Sequence, residues 1–141
     1  MSKWLSGMQP LGALVMRLVL GLAMVSHGWD KVIPPGGFHG HNTFAAIDHH
    51  SRYVAGLGLP YWMGVLSALT EFVGGFALLA GLLTRIVAFL VAANMLVALL
   101  FVNIHHGYAG SEYGLALFAL ALMLLFYGPG QMALDRRLGL T

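Results

Sequence analysis

Apolar residues fall into four long stretches, 11–28, 60–83, 86–104 and 112–127, separated by short polar or glycine-proline breaks. A helix needs about 20 mostly apolar residues to cross a bilayer. Three of the stretches approach or exceed that length. The fourth, apolar from Tyr113 to Tyr127, needs a turn more, supplied by Ser111 and Glu112. Gly128-Pro129-Gly130 stops it. Trp29, Tyr61, Trp62, Tyr108, Tyr113 and Tyr127 mark the ends of the stretches, as aromatic residues do at membrane–water boundaries. The pattern predicts an all-α integral membrane four-helix bundle, with residues 1–141 as one transmembrane domain.

The first loop is roughly thirty residues long, too long to be structureless in a compact domain. Pro34-Pro35-Gly36-Gly37 forms a turn region. Beyond it, Asn42 is placed to cap a short helix over 43–54, with Phe44, Ile47 and Val54 on one face. Such a helix lies in the interface or dips back onto the bundle.

Composition agrees. Only 9% of residues are charged, against about 25% in a soluble domain, and mean hydropathy is +0.81. The net charge of +2 comes without a basic cluster, so nucleic acid is not an expected partner. Lys3 followed by an apolar run resembles a signal peptide. Arg17 interrupts that run and no A-x-A site follows, so the stretch reads as a retained first span. Cysteine is absent, which excludes disulfides, thiol catalysis and cysteine-ligated iron–sulfur clusters within the chain.

Outside the spans, Lys3, Arg85, Arg136 and Arg137 fall on one side, and Lys31 and Arg52 on the other. The excess predicts that both termini are cytoplasmic. All seven histidines then lie on the opposite side: His27 at a span end, His39, His41, His49 and His50 in the first loop, His105 and His106 in the third.

A charge inside a span is costly and faces a partner or a polar pathway. Arg17 and Glu71 each stand inside a span, and Asn94 stands inside the third. At 1.5 Å of rise per residue, Arg17 is roughly 9 Å, Asn94 roughly 12 Å and Glu71 roughly 18 Å from the inner side. The arginine side chain can cover the difference, so the three are expected to meet near the midplane. Gly64, Ala68, Glu71 and Gly75 share one helix stripe, and Ala13, Arg17, Gly21, Met24 and Gly28 another. Small residues let membrane helices approach closely. The pair can serve as a buried lock for the bundle or as a site for a headgroup or proton. His27 and the pair His105-His106 reach similar depth and are of the type that ligates haem or metal. Interfacial histidines also simply bond water and backbone. His39-Gly40-His41 and His49-His50 lack a recognised metal spacing.

The segments Arg17-Leu-Val-Leu-Gly, SHGWDK from Ser26, GLGLP from Gly56, Glu71-Phe-Val-Gly-Gly, Gly81-Leu-Leu-Thr-Arg85 and Gly128-Pro-Gly ahead of Leu134-Asp-Arg136 occur in an order that resembles the DoxX family of small four-helix membrane proteins. The resemblance implies a bacterial inner-membrane location and a link to quinone-coupled oxidoreduction, thiosulfate:quinone oxidation or oxidative-stress complexes. It carries Arg17, His27, Lys31, Glu71 and Arg85 as motif positions. The histidine-rich stretch 39–50 is outside that pattern.

Three functions compete. The first is a membrane subunit of a quinone-linked oxidoreductase system, with a quinone bound in the outer half of the bundle. There His27 and Glu71 are the candidate catalytic groups, and Arg17, His27, Asn94, His105 and His106 the candidate cofactor-binding groups. Quinone is the expected cofactor ahead of haem, and no metal site is expected. The second is a non-enzymatic anchor or assembly subunit. The third is a small-molecule or proton carrier, disfavoured by the lack of an inverted repeat. Partners are the lipid membrane and other subunits or further copies of the chain.

Overall fold

The computed structural model describes residues 8–37, 42 and 44–140. Among these residues six α-helices follow in order: α1 Gln9–Val32, α2 Ala45–Gly56, α3 Tyr61–Ala80, α4 Thr84–Phe101, α5 Gly107–Tyr127 and α6 Leu134–Arg137, with a 3-10 turn Asn103–His106 between α4 and α5. Among the described residues four segments are long and apolar enough to cross a membrane: Pro10–Val32, Tyr61–Ala80, Thr84–Phe101 and Asn103–Tyr127. The protein is an all-α membrane bundle with two additional short helices, α2 before the second span and α6 after the fourth.

Boundaries differ from the sequence expectation where polar residues continue a helix. α1 runs through Lys31, which the sequence pattern assigns to the loop. α2 starts at Ala45 and ends at Gly56 rather than covering 43–54. Asn42 accepts a hydrogen bond from Phe44 N at 3.0 Å, two residues on, so it closes a local turn before the helix instead of capping it. Thr43, with His39, His41 and Lys3, lies outside the described residues.

The core is apolar and collects on α1, α3, α4 and α5: Leu20 and Met24, Leu78, Val87 and Val91, Leu117 and Leu124 among others. Large apolar side chains on the other faces, such as Leu22, Val73, Phe89 and Phe126, are exposed; in a bilayer they meet lipid. The small-residue stripes do face each other. A Cβ on Gly28 would sit 2.5 Å from Phe72 N, and one on Gly75 would sit 2.7 Å from Val25 N. α1 and α3 therefore touch backbone to backbone at these points. Gly64 gives α2 the same access, since its Cβ would fall 2.4 Å from Ser51 Cα.

α3 and α4 are joined by the turn 81–83. Gly81 adopts φ 72°, a left-handed helix stop suited to glycine, and Leu82 N bonds Ala77 O at 2.8 Å. Leu83 shares the left-handed region with φ 50°. From this turn the two helices run in opposite senses along the bundle. They are bound near it by Leu78, Val87 and Val91 and leave a cavity between their far halves.

Candidate site at the polar end of the α2–α3–α4 cavity

Glu71 is on the third turn of α3 and its side chain is only 3% exposed. A buried carboxylate needs its oxygens satisfied. Three elements converge to do this. Lys31 in the last turn of α1 donates to Oε2 as a close ion pair. Asn94, in the middle of α4, donates Nδ2–H to Oε1 at 2.8 Å. Ser67, one turn earlier on α3, donates its hydroxyl to Oε1 at 3.5 Å. His50 of α2 completes the cluster, its Nε2 standing 3.4 Å from Ser67 Oγ.

This polar group forms one wall of a cavity of about 340 Å³. The rest of the lining is mostly apolar: Met63 and Leu66 of α3, Leu90, Ala93 and Val97 of α4, Val54 of α2 and Leu57 just after it. Leu66 and Ala93 line the cavity and are themselves exposed, so it reaches the surface of the spanning segments. A concave apolar pocket of this size with a few convergent polar groups is the usual form of a small-molecule site.

His50 sits on α2, outside the four spanning segments. Burial, then the Lys31 ammonium, holds its imidazole below the ordinary histidine value; Glu71 pulls the other way and His49 adds a small downward push. The neutral ring is thus the one that fits. Its contribution to docking α2 is complete above the ordinary value of about 6.5. It is lost as pH falls below that toward the depressed folded value, because the unfolded chain takes the proton more readily.

Two of the residues expected at the site are in it: Glu71 and Asn94 line the cavity. The others are elsewhere. His27 is exposed and its Nε2 lies 3.3 Å from Tyr113 Oη, between α1 and α5. His105 and His106 are exposed in the 3-10 turn, with His106 Nδ1 3.1 Å from Val102 O. Among the described residues no three His, Asp or Glu side chains converge as a metal-ligand set.

Arg17 does not meet Glu71, and the expected pair is replaced by two separate polar clusters. The Arg17 guanidinium points the other way along the bundle, to the α3–α4 turn. Nη1 donates to Pro129 O and Nη2 to Met132 O, both at 3.0 Å. Gly81 has no side chain there because a Cβ would lie 2.2 Å from Nη1. Ten residues of α3 separate Gly81 from Glu71, roughly 15 Å. Two uncapped carbonyls near the helix end satisfy the cation more cheaply than a carboxylate a half-bundle away, and Lys31 is nearer to Glu71. Asp135, buried beside this cluster, accepts from Leu83 N at 2.5 Å and Thr84 N at 2.7 Å. It caps α4 from 51 residues away and ties the C-terminal segment under the turn.

Sequence reasoning carried Lys31 only as a family motif position, without a role at the site, and missed His50 and Ser67. The signals were present. The α1 stripe Arg17, Gly21, Met24, Gly28 continues to position 31; Ser67 precedes Glu71 by one turn; His50 lies between Ile47 and Val54 on the buried side of α2.

The family model described as DoxX matches residues 12–104. Over 135 residues the chain is 31% identical to Inner membrane protein YqjF of Escherichia coli, covering 93% of this chain and 95% of that protein. It is 27% identical over 126 residues to Putative oxidoreductase CatD of Bacillus subtilis, with 89% and 85% covered. It is 29% identical over 143 residues to Uncharacterized membrane protein Rv3486 of Mycobacterium tuberculosis, with 92% and 82% covered. No solved structure matches the chain significantly. The similarity extends along most of the length of these relatives, and the chain belongs to the DoxX family.

Proposed function

We propose that the protein is the membrane subunit of a quinone-linked oxidoreductase system and that a quinone headgroup occupies the α2–α3–α4 cavity. The carrying observation is the cavity itself: a largely apolar space between spanning helices, edged by the exposed Leu66 and Ala93, with Lys31, Asn94 and His50 at its polar end. A quinone is an apolar ring with two carbonyl acceptors and an isoprenoid tail. It enters from the bilayer, leaves the tail between Leu66 and Ala93, and offers a carbonyl to the amide, ammonium or imidazole donors. Glu71 holds those donors in place and balances their charge. The name of the Bacillus subtilis relative is consistent with this reading. With no cysteine in the chain, the reading assigns the electron donor to a partner subunit.

Quinone will be recovered by solvent extraction and mass spectrometry of the detergent-purified protein. Asn94→Leu will lower its affinity about tenfold or more, since a hydrogen bond lost at a buried site costs about 1–3 kcal/mol. Ala93→Trp, which fills the mouth, will exclude it while leaving the melting temperature near that of the parent. Protein that carries no quinone and binds none of an added short-chain ubiquinone points instead to a non-enzymatic anchor.

The reading also sets the cavity in the outer half of a bacterial inner membrane, with both termini cytoplasmic. Tyr108, at 76% exposure, and Leu140, at 54%, mark the two ends of the bundle. Tyr108→Cys and Leu140→Cys, made singly in this cysteine-free chain, will label with an impermeant maleimide from opposite sides. In intact spheroplasts only the first will react.

A further inference from the structure

We propose that His50, Ser67 and Glu71 form a proton relay from the aqueous boundary at α2 to the polar end of the cavity. The three groups are in series: His50 Nε2 to Ser67 Oγ, 3.4 Å, and Ser67 Oγ to Glu71 Oε1, 3.5 Å. Their donor and acceptor roles give the series a direction. The Ser67 hydroxyl has one hydrogen, and it goes to the carboxylate. Ser67 then accepts from His50, which requires the tautomer protonated at Nε2 and leaves Nδ1 as the basic nitrogen.

A transfer through this arrangement balances. Nδ1 takes a proton from water, the Nε2 proton passes to Ser67 Oγ, and the Ser67 proton passes to Glu71 Oε1. The imidazole is neutral again as the other tautomer and the Ser67 hydroxyl now points to Nε2; the ring returns by exchanging its proton and the hydroxyl by rotating. The groups facing His50 are Lys31 from α1, Glu71 from α3 and His49 on its own helix. Lys31 holds Oε2 of Glu71, and Oε1, which also accepts from the neutral Asn94 amide, is the oxygen that faces Ser67. A relay needs a ring that is neutral and able to donate and accept at once. His50 is such a ring, kept below the ordinary histidine value mainly by burial. What the proton serves rests on the quinone reading, since quinone reduction consumes protons; the relay itself does not.

The test therefore needs no quinone. Glu71 and Glu112 are the only glutamates in the chain, so carboxyl-13C glutamate in an Glu112→Gln background gives one isotope-shifted infrared carboxyl signal. A caged-proton flash on the protein in nanodiscs acidifies the bulk, and the rise of the protonated Glu71 band gives the rate. His50→Gln and Ser67→Ala will slow that rise about 100-fold, the lower end of the contribution of a positioned proton carrier. Ser67→Thr, which keeps the hydroxyl, will restore it. Equal rates in the parent and in both slow variants overturn the relay, as does a Glu71 that stays ionised throughout the acid jump. Protein that binds no quinone yet shows the slowed rates sinks the quinone reading alone.

Discussion

Arg17→Met will loosen the C-terminal segment and lower stability by about 2–4 kcal/mol, through the two carbonyls it leaves without a donor. Pro129 O is buried and bears most of that cost; Met132 O is nearer water. The guanidinium Nε has no partner among the described residues and is already buried, so the site gains its worth from the two terminal nitrogens. Arg17→Lys will recover only part of the loss, because a single ammonium lacks the planar fork that reaches both carbonyls. Asp135→Asn will act in the same direction by weakening charge-assisted bonds to Leu83 N and Thr84 N. Thermal melting in detergent and the rate of protease cleavage after residue 130 report the two effects. An unchanged melting curve for Arg17→Met would remove the C-terminal staple from this account.

The number of spans and the membrane environment were legible in the sequence because both rest on length and hydropathy. So was the facing of the glycine stripes, since a period of 3.6 puts Gly21 and Gly28 on one side of α1. Glu71 and Asn94 stood out because a polar group inside an apolar run is rare. The partner of each charge was not legible. Depth counting treats a span as ending where hydrophobicity ends, and α1 continues through His27, Trp29 and Lys31. Its last turn carries the amine that Glu71 needs. The choice made by Arg17 depends on a segment 112 residues away that turns under the bundle after Gly128-Pro129-Gly130. Those three residues read as a helix stop and gave no hint of the acceptors behind it. His50 was hidden for a third reason. A histidine in a loop of histidines looks solvated until Gly64 is seen to draw α2 against α3.

Lys31→Met will destabilise the protein more than Glu71→Gln, and the double substitution less than Lys31→Met alone. The asymmetry follows from exposure. Removing the amine leaves a carboxylate that is 3% exposed with only Asn94 and Ser67 to satisfy it. Breaking a buried pair in this way costs about 3–5 kcal/mol. The lower end applies, because Lys31 is 26% exposed and water screens part of the attraction. Removing the carboxylate charge leaves an ammonium on a flexible stem that can turn to the same water, while glutamine still accepts from Asn94. With both charges gone, no buried charge is left unpaired. A double-mutant cycle on melting free energies measures the coupling. If Glu71→Gln proves the costlier single change, Lys31 is not the group that keeps Glu71 ionised in the bundle. If the order holds, Glu71→Gln yields a folded protein whose cavity keeps its shape and carries an unbalanced positive charge. Any change in headgroup affinity in that variant then reports on the chemistry of the site rather than on its packing.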